Sequence, residues 1–204
     1  MDSNQTKMTK TPFGLHVIVP FRNITQFEID VDLLKNQSQK YVWLKGDENE
    51  IQKNLAKINE IITQKKLSIL VDSEKLLESE IHLFGFISID FESIKLIKSE
   101  HPSLKVGGIA DNLADAKNVE LLSGDFVYLG ALDQIGHAPY IAIIPRVPDY
   151  EWQFIDITIP VLSFGFTEQK TLTELTQNAN LFGHCCDIKQ FRLLNTANYR
   201  FINN

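Results

Sequence analysis

The chain has 204 residues, of which 44% are hydrophobic and 23% charged, with a net charge of −6; this suits one domain with a substantial core and is small for two. The acidic balance, with no basic block, excludes a nucleic-acid partner, and no apolar run approaches the roughly 18 residues that span a bilayer. The two cysteines, Cys185 and Cys186, are adjacent, a spacing that rarely allows an unstrained disulfide, so the chain has no disulfide framework, as expected in a reducing cytoplasm.

Met1 to Thr11 is polar and lacks an apolar signal-peptide core, which predicts a frayed arm over residues 1–12 ahead of a single domain over 13–204. Leu15 to Val19 reads as a strand stopped by Pro20, followed by a helix within Ile24 to Asn36 and a second strand from Lys40 to Leu44. Asp47 with Glu50 forms a capping-box pattern. Ile51, Leu55, Ile58 and Ile62 then repeat at helical spacing, and Lys65 and Lys66 close that helix at its negative end.

Four apolar runs follow, and each ends in an aspartate: Asp72, Asp90, Asp111 and Asp133, roughly twenty residues apart. Short helices fit between them at Ser73–Ser79, Phe91–Glu100 and Leu113–Ser123. Pro102 falls just past the second, and Asp111 or Asn112 is placed to cap the third. Gln134 to Thr158 carries Pro139, Pro145 and Pro148 and predicts an irregular crossover. Ile159 to Gly165 resumes as a buried strand, Thr167 caps a helix to about Asn178, Asn180 to Cys186 is the last strand, and Ile188 to Phe201 is the closing helix.

Eight apolar strands, each followed by a helix-length connection, predict a parallel sheet buried on both faces. The reading is a small single-domain α/β protein, a closed (β/α)8 TIM barrel. A doubly wound open sheet is the alternative, but no G-x-G-x-x-G loop follows the first strand. Carboxylates at successive strand ends place the chemistry on the carboxyl-end face.

Specific segments resemble the thiamine phosphate synthase/TenI family. Ile159 to Thr167 and Ala179 to Ile188 look like its last two βα units, and Ser123 to Gly130 like its sixth strand. Leu104 to Gly108 looks like its fifth strand, and Ile69 to Asp72 like its third. The resemblance implies joining of an aminopyrimidine diphosphate to a thiazole phosphate, with magnesium and release of pyrophosphate. It implies a phosphorylated small-molecule substrate and allows a homo-oligomer. Asp72 and Asp90 match the family's Mg²⁺ aspartates, although Val71 stands where a partner Asn is expected. Lys45 lies near the family's basic residues after strand two. Gly165 matches one glycine of the loop-seven phosphate cradle, Phe166 replaces another, and Cys186 sits near a small hydroxyl residue of loop eight. The chain departs from the pattern in loop six, where Asp133 to Ala138 contains no lysine, and at Ile109, where a serine is expected.

The residues also allow plainer roles. Asp72 and Asp90 each precede a helix and are placed to cap it. Magnesium often uses one or two carboxylates plus substrate phosphates, so the two could instead share one ion. Gly165 and Gly183 let backbone amides approach a phosphate. His137 and His184 are the acid–base candidates, and Lys45 is the candidate for an anionic substrate. His184 and Cys186 share one side of their strand and Cys185 takes the other. The missing loop-six lysine leaves two further readings open: a TenI-like thiazole tautomerase working through a histidine, and a barrel that binds a phosphorylated ligand without catalysis.

Overall fold

The computed structural model describes residues 14–37, 39–130, 156–164 and 182–196. Among them eight parallel strands pair in chain order and close into a barrel. The strands are β1 (Gly14–Phe21), β2 (Tyr41–Gly46), β3 (Ser68–Val71), β4 (Leu83–Ser88), β5 (Lys105–Ala110), β6 (Phe126–Leu129), β7 (Val161–Phe164) and β8 (Gly183–Asp187). The barrel shuts where β8 pairs with β1, Cys185 opposite His16 and Asp187 opposite Ile18. The predicted (β/α)8 architecture is the observed one, and the open sheet is excluded.

The helices lie outside. They are α1 (Ile24–Asp32), which runs into a 3-10 turn at Leu33–Asn36, α2 (Glu48–Lys53), α3 (Leu55–Lys65), α4 (Glu74–Leu77), α5 (Phe91–Glu100), α6 (Leu113–Leu121) and α7 (Ile188–Thr196). Ile51, Ile58 and Ile62 are buried as their spacing predicts. The helix that carries them is split, however. Asn54 leaves the helical region at φ −109°, ψ 11°, and its side-chain amide donates to the Glu50 carbonyl at 2.8 Å. Asp47 accepts from the Glu50 N–H at 2.9 Å, but the Glu50 carboxylate turns to Lys53 at 2.6 Å, so only half of the capping box forms. Pro20 does not end β1, which runs on to Phe21. The β8 ladder stops at Ile18, so from there β1 has one neighbour, and a residue without an N–H is tolerated as at a sheet edge.

Alternation along the strands divides the core in two. Val17, Val19, Val42, Leu44, Ile69, Val71, Val127 and Cys186 face outward and pack beneath the helices with Ile58, Ile94, Val119 and Phe191. Tyr41, Trp43, Leu70, Ile87, Ile109, Phe126, Tyr128, Leu162 and Cys185 fill the interior. Gly107 makes room for that filling: a Cβ there would lie 2.2 Å from the Phe126 ring. Among the described residues no helix is long and apolar enough to cross a membrane. The predicted arm, the Thr167 helix and most of the Gln134–Thr158 crossover lie outside the described residues.

Candidate functional site

The barrel interior is an aromatic column with polar links. His16 stacks on Tyr41 at 4.4 Å between ring centroids, and Tyr41 meets Phe84 at 5.2 Å. His16 Nδ1 and the Tyr128 hydroxyl share a buried hydrogen bond of 2.6 Å. Tyr128 lies nearly parallel to Trp43 at 5.7 Å and also hydrogen-bonds the Cys185 thiol. Burial pushes both the Tyr128 hydroxyl and the Cys185 thiol above their ordinary ranges. Both therefore stay protonated near neutrality, and Cys185 is a poor nucleophile.

Lys45 crowns this column. It continues the inward face of Tyr41 and Trp43, and its ammonium stands 4.8 Å from the centre of the Trp43 ring, an attractive cation–π geometry. The β2–β3 register explains its other partner. Trp43 lies opposite Leu70, so two residues further on, on the same face, Lys45 meets Asp72. Nζ and Oδ2 are 2.8 Å apart, with side chains 27% and 13% exposed. Gly46 follows directly at φ +152°, where a Cβ would lie 2.8 Å from the Phe21 carbonyl oxygen. Only glycine closes β2 at this point without strain. Asp187 ends β8 on the same inward face as Cys185, and its Oδ1 accepts the Gln190 N–H at 2.7 Å. Among the described residues the mouth thus presents a cation paired with one carboxylate, above a buried aromatic interior.

Of the residues named from the sequence, Lys45 and Asp72 are brought together. Asp72 is not a cap, since the residue before α4 is Ser73, whose hydroxyl donates to Glu48. Asp90 is a cap: Oδ1 accepts from the Glu92 N–H and Oδ2 from the Ser93 hydroxyl, both at 3.1 Å. Asn112, not Asp111, caps α6 through the Asp115 N–H at 2.9 Å.

Three placements differ from expectation. His184 and Cys186 do share one strand face, but it is the outward one. Cys186 packs with the outer core, and His184, fully buried, pairs with the Ser163 hydroxyl at 2.8 Å across the β7–β8 ladder. Neither reaches the mouth. Gly183 opens β8 and lies opposite Gly14, the first residue of β1. Four residues of strand rise put it about 13 Å below Asp187, at the amino end of the barrel. His137, Gly165, Phe166 and Asp133 lie outside the described residues.

Asp72 and Asp90 do not fit a shared Mg²⁺ in this arrangement. One oxygen of the first carboxylate is paired with an ammonium, and both oxygens of the second are spent on a helix terminus. Magnesium requires near-octahedral oxygen ligation at about 2.0–2.1 Å. Among the described residues no three His, Cys, Asp or Glu side chains converge to hold a metal ion. The interior links through His16, Tyr128 and Trp43 were not anticipated. Their sequence signal is the two-residue spacing of Tyr41, Trp43 and Lys45, which marks one inward face.

No protein-family model and no curated protein matches the chain. Solved structures do. A thiamine phosphate pyrophosphorylase from Pyrococcus furiosus superposes with a TM-score of 0.65 at 15% identity, over 92% of this chain and 98% of that one. A 2-keto-3-deoxy-6-phospho-gluconate aldolase from Zymomonas mobilis gives 0.62 at 12% identity, over 93% of both chains. An N-acetylmannosamine-6-phosphate 2-epimerase from Clostridium perfringens gives 0.60 at 12%, over 91% of this chain and 92% of that one. Likeness at such identities extends to architecture and no further, and the architecture is that of a small single-domain (β/α)8 TIM barrel.

Proposed function

We propose that this barrel binds a phosphorylated small molecule at its carboxyl-end mouth. Its chemistry in this reading is that of thiamine phosphate synthase, joining an aminopyrimidine diphosphate to a thiazole phosphate with release of pyrophosphate. The observation that carries the reading is Lys45, an ammonium held at the barrel mouth by Asp72 and Trp43. The three structural neighbours, each named for a phosphorylated compound, support the ligand class. In this reading Lys45 faces the diphosphate and stabilises the charge that grows on pyrophosphate as the carbon–oxygen bond breaks and the thiazole nitrogen attacks. The buried aromatic interior keeps the ligand at the rim.

A second reading, binding without this chemistry, draws support from Asp90, whose two oxygens are committed to α5. The tautomerase reading loses His184 to the outer layer.

The test is pyrophosphate release from the two thiamine precursors, with and without Mg²⁺, alongside thermal unfolding with each precursor. Release that collapses in Lys45→Met supports the synthase reading. A stabilised chain that releases nothing supports the binding reading, since a ligand at 100 times its dissociation constant stabilises by about 2.7 kcal/mol. Neither release nor stabilisation sinks both.

A further inference from the structure

The aspartate that should hold magnesium instead holds a lysine of its own chain, and this disagreement has functional content. Lys45 is constrained on two sides: by Asp72 at 2.8 Å and by the Trp43 ring beneath it. Its side chain is still 27% exposed, and Asp72 takes one of its three N–H donors. Asp90, the other expected ligand, is exposed and spends both oxygens on the first turn of α5. A divalent ion at Asp72 would share one carboxylate with an ammonium already 2.8 Å from Oδ2, so two cationic centres would stand side by side.

We propose that Lys45 is a resident replacement for the metal, so that this mouth binds a phosphate group without a divalent cation. The proposal rests on the reading that the mouth takes a phosphorylated ligand, and it fixes how that ligand is held. A phosphate oxygen accepts from the free N–H groups of Lys45, a charge-assisted contact. Asp72 keeps the ammonium in place rather than bridging to an ion. Specificity then falls on anions small enough to sit over one point charge, since the ammonium offers no bidentate fork.

The experiment titrates the purified chain with inorganic phosphate, which binds Mg²⁺ only weakly, once in a chelator and once with excess Mg²⁺. The dissociation constants are expected to agree within about twofold. Lys45→Met is expected to weaken binding about tenfold or more, as for loss of a charged hydrogen-bond partner. Lys45→Arg, which keeps the charge, serves if the methionine variant does not fold. In parallel, Mn²⁺ is titrated against the native chain and Asp72→Asn. Phosphate binding that tightens more than twofold with Mg²⁺, or Mn²⁺ binding that vanishes in Asp72→Asn, overturns the metal replacement and leaves the proposed ligand class standing. Phosphate that fails to bind in either buffer overturns the ligand class and the replacement with it.

Discussion

Lys45 is held by two attractions that act differently on an incoming anion. The Trp43 ring binds the ammonium without competing for the phosphate, because its face offers no charge to displace. Asp72 does compete, carboxylate against phosphate, for the same N–H groups. Asp72→Asn is therefore expected to tighten phosphate binding, by about two- to fivefold, the value of a partly exposed ion pair. A metal-ligand role for Asp72 predicts a loss that appears only with Mg²⁺ present, and calorimetric titration with and without a chelator separates the two. The pair itself could not be read from the sequence. Lys45 and Asp72 are far apart in the chain, and what joins them is the β2–β3 register, which one residue of slip would undo. The caps were easier to read because they are local: Asp90 and Asn112 each satisfy N–H groups two or three residues on.

At the scale of elements, Asp90 belongs to α5 and not to the ligand. Asp90→Ala is expected to cost about 1 kcal/mol of stability in urea unfolding, the usual price of a lost N-cap, and to leave phosphate binding unchanged. A fall in phosphate affinity in that variant would return Asp90 to the site. The extent of α5 matches its sequence pattern from end to end, because its cap, its apolar face and Pro102 agree. The helix after Asp47 was misread as continuous because periodicity spans the break at Asn54: Ile51 and Ile58 stay on one face across it. Gly183 was misplaced for a related reason. An apolar run shows that a strand exists but not where the ladder begins, and a start at Gly183 rather than Asn180 puts this glycine at the amino end.

For the whole molecule, the two ends of the barrel divide the labour. At the amino end Asp125 ties β5, α5 and the start of β6. It accepts from Lys98 Nζ at 2.8 Å, Lys105 Nζ at 3.0 Å and the Val106 N–H at 2.8 Å. Burial alone would raise its pKa, but these donors outweigh burial and hold it below the ordinary value of 3.8. A lowered folded-state pKa stabilises the fold above the unfolded value, and that contribution disappears as pH falls through the folded one. Acid unfolding from about pH 4 downward is thus expected to be steeper in the native chain than in Asp125→Asn, measured as urea midpoints across that range. Arg192 and the buried Asp30, 2.5 Å apart, link α7 to α1 across the seam where β8 meets β1. The number of strands was readable from the apolar runs. Closure followed from the count of eight, but the register of the β8–β1 seam was not readable, since it depends on pairings between the two ends of the chain.

The stacked interior also makes the mouth visible to light. Trp43 lies under the Lys45 ammonium and face to face with Tyr128, and an indole's emission responds to the charge beside it. A phosphate that neutralises or draws away the ammonium changes the field on that ring. The chain has two tryptophans, so Trp152→Phe leaves Trp43 as the sole indole, excited apart from the tyrosines at the red edge of its absorption. Its spectrum then becomes a direct readout of mouth occupancy, one that needs no label, no known substrate and no turnover.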